Sequence, residues 1–184
     1  GFQDMLGTIP EIKSDIKGEN NLIVGSQSNL NAEIKNELKS DFDKINEEGF
    51  VIKSIFFKNK KQIIITGKND VAVLYGVFNF LRILQTDKSV KNLNIVDSPK
   101  TNVRILNHWD NLDRTVERGY AGFSLWNWQK LPDFIDQRYI DYARANASIG
   151  INGTVLTNVN ANALILTPQY LEKVEALANV FRPY

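Results

Sequence analysis

The sequence RILNHWDNLDRTVERGYAGFSLWNW, residues 104–128, decides the fold prediction together with GINGTVLTNVNAN, residues 150–162. Each stretch overlaps a short aliphatic run that predicts a strand, Val103–Asn107 in the first and Ile151–Asn158 in the second. Polar and aromatic residues follow the first strand, and asparagines close the second. Because a helix is predicted after each loop, the order is strand, loop, helix, twice over, which is typical of a parallel βα architecture.

The two helices have recognisable ends. Asp136 is a suitable N-cap for a helix that continues to about Ala147. Thr167 followed by Pro168 is an N-cap with a first-turn proline, and Pro183 ends the second helix.

The loops after the two strands hold the residues that indicate a function. The chain has three tryptophans and one histidine, and all four lie within residues 104–128 among amides and carboxylates. An indole offers a large, rigid apolar face to a sugar ring, and neighbouring polar groups can bind its hydroxyls. Ligands of βα folds collect at the carboxyl ends of the strands, so the loop from Trp109 and the segment Asn158–Asn162 should be neighbours in space. The pattern predicts one wall of a carbohydrate pocket.

Residues 1–98 predict a small layered α/β domain, in which helices pack on a sheet. The apolar spacing and turn residues define its elements. We expect a strand at Asn21–Gly25, a helix at Asn29–Ile45, hairpin strands at Phe50–Phe57 and Gln62–Thr66, and a helix from an Asp70 N-cap to about Gln85.

Asp97-Ser98-Pro99-Lys100 is a turn sequence that marks a domain boundary. We therefore expect residues 1–98 to form one domain and residues 99–184 to begin another. A closed (β/α)8 barrel needs ~250 residues, so residues 99–184 would contain only the first two βα units of an incomplete barrel, and the chain would be a piece of a longer protein. Two such units leave strand edges unpaired. A second copy of the chain, in a homo-oligomer, is one candidate to cover them.

The composition argues against several classes of function. Lys and Arg number 22 against 21 Asp and Glu, and this balance gives no field that would attract nucleic acid. No apolar run is long enough to cross a bilayer. Without cysteine and with a single histidine, the chain has neither a thiolate nucleophile nor a multi-histidine metal centre, and no cofactor is predicted. The first residues, GFQDMLGTIPEIK, lack the layout of a secretory signal, which leaves the compartment open.

Two long motifs resemble a known family. NHWDNLDRTVERGYAGFSLW, residues 107–126, and DYARANASIGINGTVLTNVNA, residues 141–161, are similar to family 67 of the glycoside hydrolases, the α-glucuronidases of xylan breakdown. EEGFVIKSI, residues 47–55, and NDVAVLYGVFNFLRILQT, residues 69–86, resemble the family's small N-terminal α/β domain. The resemblance implies that the segments from Arg104 onward begin the catalytic TIM barrel.

The same resemblance implies a glycosidase that removes (4-O-methyl)-glucuronic acid α-1,2-linked to xylose in oligosaccharides derived from glucuronoxylan. The implied mechanism is inverting and metal-free, with one carboxylic acid that protonates the leaving oxygen and a carboxylate that activates water. Those carboxylates come from later barrel strands in the family, so we assign no catalytic residue and expect this chain by itself to be inactive. The alternative is a non-catalytic carbohydrate-binding or assembly module.

The resemblance assigns substrate-binding positions as well. Trp126 corresponds to the aromatic that sheathes the glucuronic acid in the family, with Trp128 as the alternative. Further contacts are expected from residues at the ends of the two strands: Trp109, Asp110, Asn111, Asn158 and Asn160.

Each candidate has a structural alternative, which the sequence leaves open. Arg118 can pair the uronic carboxylate or a nearby acid such as Glu117. Asn158 and Asn160 can cap a turn instead of binding hydroxyls. The lone His108 can be a packing group rather than a ligand contact. The carboxylates of the first loop can serve as caps or ion-pair partners: Asp110, Asp113 and Glu117.

Overall fold

The computed structural model describes residues 2–16 and 18–184, and the chain divides into two compact units, Gly1–Lys100 and Thr101–Tyr184. The described residues of the first unit form these α-helices and strands: α1 (Phe2–Leu6), β1 (Leu22–Ser26), α2 (Ala32–Glu37), α3 (Lys39–Phe42), β2 (Phe50–Phe57), β3 (Lys60–Gly67), α4 (Asp70–Gln85) and β4 (Asn94–Asp97). The second unit contains β5 (Ile105–Asn107), α5 (Gln137–Ser148), β6 (Gly153–Val155) and α6 (Pro168–Phe181).

The four strands of the first unit form a mixed sheet in the order β1-β3-β2-β4. Strand β1 is parallel to β3, whereas β2 is antiparallel to both β3 and β4. The hairpin between β2 and β3 turns at Lys58 and Asn59, whose φ angles are 51° and 62°. Two successive left-handed residues form the turn that matches the twist of a hairpin.

Helices cover both faces of this sheet. Neighbouring residues along a strand point to opposite faces, so apolar residues in succession give each face an apolar surface that a helix can cover. Ile64 belongs to the buried cluster under α2 and α3, whereas the next residue, Ile65, lies against Gly76 of α4. Both isoleucines are completely buried. The unit is therefore a layered α/β domain, as the sequence predicts, and the structure shows that its sheet is mixed.

The single helix predicted at residues 29–45 is two shorter helices in the structure. Helix α2 begins after Asn31, whose side chain accepts a hydrogen bond from the N–H of Glu33, and α3 begins after Leu38. Lys53 of β2 lies 2.7 Å from the buried carboxylate of Asp41, which ties α3 to the sheet. The residues of the predicted apolar stripe are nevertheless all buried, because packing on the sheet requires an apolar face and does not require an unbroken helix. These residues are Leu30, Ile34, Leu38, Phe42 and Ile45.

Two further details of the first unit differ from the sequence prediction. Helix α4 is capped by Asn69 rather than Asp70, and the Asn69 side chain accepts a hydrogen bond from the N–H of Ala72 at 3.0 Å. Strand β4 was not predicted, because its apolar run is only two residues long; pairing with β2 supplies the hydrogen bonds that hold it.

In the second unit, β5 and β6 are parallel neighbours, and α5 connects them. Asp136 caps α5 as predicted, with its carboxylate accepting from the N–H of Arg138 at 3.0 Å. Gly153 sits opposite Ile105, and a Cβ at that position would lie 2.6 Å from the Ile105 methyl group, so glycine permits the close pairing. Strand β6 is shorter than the predicted 151–158, since only three residues pair with β5.

Candidate functional site

The loops that follow β5 and β6 are joined at the carboxyl ends of these strands. The N–H of His108 donates to the carbonyl of Val155 at 3.0 Å, and the N–H of Asn158 donates to the carbonyl of Asp110 at 2.9 Å. The structure thus brings the tryptophan-containing loop and the asparagines near residue 160 together, as the parallel βα arrangement requires.

The loop after β5 folds back on itself. The N–H of Asn111 donates to the carbonyl of Thr115 at 2.8 Å, and the N–H of Glu117 donates to the carbonyl of Trp109 at 2.7 Å. Arg114 and Glu117 have φ angles of 75° and 58°, in the left-handed region that is unfavourable for residues other than glycine. The hydrogen bonds within the loop hold this unfavourable backbone in place.

Asp110 lies at the centre of the junction. Its side chain is 4% exposed, its Oδ2 accepts from the Ser124 hydroxyl at 2.5 Å, and its Oδ1 lies 3.6 Å from Nδ1 of His108. The Ser124 hydroxyl in turn accepts from the N–H of Trp126 at 3.0 Å. Asp110 therefore organises the loop from inside, and its expected role as a sugar contact stays a prediction.

Trp126 and Trp128 are packing residues in this structure, since both are 0% exposed. The Trp126 ring packs against His108, Tyr139, Tyr142 and Phe181, with ring centroids 5.2 to 5.8 Å apart. In this structure Trp126 therefore supports the junction from beneath. Contact with a sugar by Trp126, or by Trp128 as the alternative, stays a prediction.

Trp109 is the tryptophan that reaches the surface, with the residue 47% exposed. In the second loop Asn160 is exposed, whereas Asn158 is buried and its Oδ1 accepts from the N–H of Asn160 at 2.9 Å. Asn158 is thus a turn cap. Asn111 is half-buried, and its amide donates to the Thr115 hydroxyl and the Glu117 carbonyl.

The charged residues of the loop are held by local contacts. Hydrogen bonds from the hydroxyl and then the N–H of Thr115 lower the pKa of the Asp113 carboxyl below its ordinary value. Arg118 is largely exposed, and its Nε lies 3.9 Å from Glu117. Two further aromatic residues of this loop, Tyr120 and Phe123, are also largely exposed.

Sequence reasoning missed the polar partners that lie behind the junction. Nε2 of His108 lies 2.7 Å from the Tyr142 hydroxyl, which lies 3.2 Å from the hydroxyl of Thr154. The signal available in the sequence was the spacing of Tyr139 and Tyr142, which places two tyrosines on one face of α5.

Two family descriptions cover almost the whole chain. The glycosyl hydrolase family 67 N-terminus matches residues 1–80, and the glycosyl hydrolase family 67 middle domain matches residues 83–184. The chain belongs to glycoside hydrolase family 67.

Relatives in this family carry the name α-glucuronidase. The chain is 40% identical over 148 residues to the probable α-glucuronidase A of Aspergillus terreus, an alignment that covers 79% of this chain and 17% of that protein. It is 42% identical over 122 residues to the Aspergillus oryzae protein of the same name, covering 65% and 14%. The α-glucuronidase A of Emericella nidulans is 39% identical over 128 residues, covering 66% and 15%. This family 67 chain thus spans about a sixth of the length of the curated relatives that it matches.

A solved structure shares the fold of the family 67 chain at low sequence identity. A GH138 enzyme described as targeting pectin rhamnogalacturonan II superposes with a TM-score of 0.51 and 18% identity, covering 90% of this chain and 29% of the other. At that identity the likeness concerns the fold alone.

Within residues 2–16 and 18–184, none of the helices combines the length and the apolar character that a membrane crossing requires. The same described residues contain no group of three or more His, Cys, Asp or Glu side chains placed to hold a metal ion.

Proposed function

We propose that the protein to which this chain belongs is an inverting α-glucuronidase that removes (4-O-methyl)-glucuronic acid α-1,2-linked to xylose in xylo-oligosaccharides. The family 67 matches across both units carry the proposal. In this proposal residues 1–98 form the N-terminal α/β domain, and residues 99–184 supply the first two βα units of a (β/α)8 barrel. The parallel β5-α5-β6-α6 order supports that assignment.

The substrate-facing surface in this proposal is the Trp109 rim, by which we mean Trp109 and Asn111 of the first loop together with Asn160 of the second. Trp109 is the candidate for stacking on a sugar, because its indole is about half exposed at the carboxyl end of β5. Asn160 supplies an exposed amide from the second loop. Trp126, Asp110 and Asn158 hold the rim in place from below.

We propose further that this chain alone does not hydrolyse glycosides. Inversion needs an acid and a base ~6.5–9.5 Å apart on opposite sides of the bond. Asp110 is buried beneath Ser124 and His108, and Asp113 is engaged by Thr115. These local contacts give both carboxyls structural roles, and we expect the catalytic carboxylates from the remainder of a full-length family member.

The test compares a full-length protein that contains this chain with the chain by itself, on aldouronic acid oligosaccharides. We expect release of glucuronic acid by the full-length protein, and a fall in kcat/KM of about 10- to 100-fold for Trp109→Ala, equivalent to the ~1.5–3 kcal/mol of a buried aromatic contact. Trp128→Phe is the matched control, since Trp128 is a buried indole outside the rim and should leave KM unchanged. Turnover by the chain alone would refute the placement of the acid and base. Binding without turnover by the full-length protein would favour the carbohydrate-binding or assembly module.

A further inference from the structure

A connected set of polar side chains crosses the second unit from β6 to the loop after β5. The hydroxyl of Thr154 lies 3.2 Å from the Tyr142 hydroxyl, which lies 2.7 Å from Nε2 of His108. Nδ1 of the same imidazole lies 3.6 Å from Oδ1 of Asp110. The other carboxylate oxygen, Oδ2, accepts from Ser124. These side chains come from β6, α5, the end of β5 and the middle of the loop, so the set links separate elements.

The chemistry of these groups favours one direction of hydrogen-bond donation along the set. A carboxylate only accepts hydrogen bonds, and a neutral imidazole has one N–H donor and one acceptor nitrogen. With Asp110 facing Nδ1, the favourable arrangement places the proton on Nδ1 and leaves Nε2 to accept from the Tyr142 hydroxyl. Tyr142 can then accept from the hydroxyl of Thr154. In this arrangement each donor of the set is directed towards Asp110, whose carboxylate attracts the Nδ1–H electrostatically across 3.6 Å.

The packing around His108 fixes its ring in that orientation. Its ring centroid lies 5.2 Å from that of Trp126 and 5.4 Å from that of Tyr142. Trp126 is completely buried, so it cannot move away from the imidazole without opening the core. The ring is thus confined by two aromatic side chains, by the Tyr142 hydroxyl at Nε2 and by the charge of the nearby Asp110 carboxylate at Nδ1.

Asp110, whose carboxylate accepts a hydrogen bond within this set, also joins the two loops. The carbonyl of Asp110 accepts from the N–H of Asn158, and Asp110 directly follows the exposed Trp109. We propose that His108, held as the Nδ1–H tautomer between Asp110 and Tyr142, is a positioning residue for the Trp109 rim. The effect of this positioning role on substrate binding rests on the function proposed above, whereas the tautomer of His108 is independent of that function.

The tautomer can be measured in the 184-residue chain, because His108 is the single histidine of the sequence. Two-bond ¹H–¹⁵N correlation spectra at mildly alkaline pH distinguish an Nδ1–H imidazole from an Nε2–H one. We expect the Nδ1–H pattern, and we expect Tyr142→Phe to shift it towards a mixture, since Nε2 loses its donor. Tyr139→Phe is the matched control: this tyrosine lies on the same helix and also packs on Trp126, but its hydroxyl accepts from the N–H of Asn127. A predominantly Nε2–H imidazole in the unmodified chain, or an unchanged spectrum in Tyr142→Phe, overturns the proposal.

The positioning role is tested in the full-length protein by kinetics. We expect His108→Ala to raise KM about tenfold with a smaller change in kcat, the pattern of a lost binding arrangement rather than of lost chemistry. His108→Asn keeps an N–H close to the position of Nδ1 and should restore most of the affinity. Equal KM values for His108→Ala and the unmodified enzyme, or no rescue by His108→Asn, contradict the positioning role. A full-length protein without glucuronidase activity would refute the proposed function instead, and the tautomer spectra would then decide this proposal by themselves.

Discussion

At the scale of single residues, Ser124 shows how one hydroxyl supports a buried carboxylate. Its Oγ donates to Asp110 and accepts from the N–H of Trp126, and all three residues are buried. Ser124→Ala should lower the free energy of unfolding by about 1–3 kcal/mol, because it leaves a carboxylate oxygen and an amide N–H without a partner. Chemical denaturation measures this change.

The matched control for that substitution is Ser148→Ala at the end of α5. The Ser148 hydroxyl donates to the carbonyl of Ala145 at the protein surface, where water can replace it. We expect a change within about 0.5 kcal/mol. Equal losses of unfolding free energy for the two variants would show that the buried hydrogen bonds of Ser124 stabilise the fold no more than an exposed one does.

Asp113 provides a prediction about pH. Its pKa is lowered by the hydroxyl of Thr115 and then by the N–H of the same residue. A pKa below the unfolded value stabilises the fold above the unfolded pKa, and this contribution is lost as the pH falls through the folded pKa. Thr115→Val should therefore raise the Asp113 pKa towards its ordinary value, as measured by NMR titration of the carboxyl carbon. Thr115→Ser keeps both donors and should leave the pKa lowered; an equal rise in both variants would contradict the assigned cause.

The candidate site could be predicted from the sequence in part, and its particular residues show why. The polar and aromatic character of the loop after β5 is visible in residues 108–128, and strand order predicts its proximity to Asn158. Whether an indole faces solvent or core depends on the helices that pack over it. Trp109 and Trp126 therefore look alike in the sequence and differ completely in exposure.

At the scale of elements, Gly76 sets the distance between α4 and the sheet. A Cβ at this position would lie 2.8 Å from a methyl group of Ile65 and 3.2 Å from Cβ of Phe50. Gly76→Val should destabilise the first unit by about 1–3 kcal/mol, because an overpacked interface forces the helix or the side chains to move. Gly25→Val in β1 is the control, since its nearest atoms are 3.9 Å away and valine favours strands. Thermal unfolding of both variants distinguishes them, and similar losses would argue against close packing at Gly76.

The helices of the second unit are joined by the buried indole of Trp126. It contacts Tyr139 and Tyr142 of α5 and Phe181 of α6. Trp126→Ala should lower the free energy of unfolding by about 3–5 kcal/mol, the usual loss for a buried large aromatic. Trp109→Ala should lower it by about 1 kcal/mol or less, because that side chain is near the surface. The reverse order of the two losses would mean that Trp126 is not part of the core.

At the scale of the whole molecule, the first unit has the features of an independent domain. It has its own four-stranded sheet and its own buried cluster under α2 and α3. Residues 1–100, expressed alone, should fold with a cooperative thermal transition and the circular dichroism of a mixed α/β protein. A disordered product would contradict the division into units.

The second unit leaves much more of its sheet uncovered. Ile105, Leu106 and Val155 of β5 and β6 are all substantially exposed. In the proposed barrel, further strands would cover these residues. In the isolated chain, a second copy of the chain is a candidate to cover them. We expect the isolated chain to self-associate as its concentration rises, measured by sedimentation, whereas a chain that stays monomeric at high concentration would show that these edges need no cover.

The sequence by itself determined the apolar faces, the N-cap of α5, the β2–β3 hairpin and the family, because spacing and turn residues are local and the two long motifs are distinctive. Tertiary structure decided the rest. Only packing shows that α2 and α3 are separate helices, that β4 completes the sheet and that Trp126 is covered while Trp109 is not. The physical reason is the same in each case. Burial and hydrogen-bond pairing depend on residues distant in the chain, and a local sequence pattern does not show which distant residues make contact.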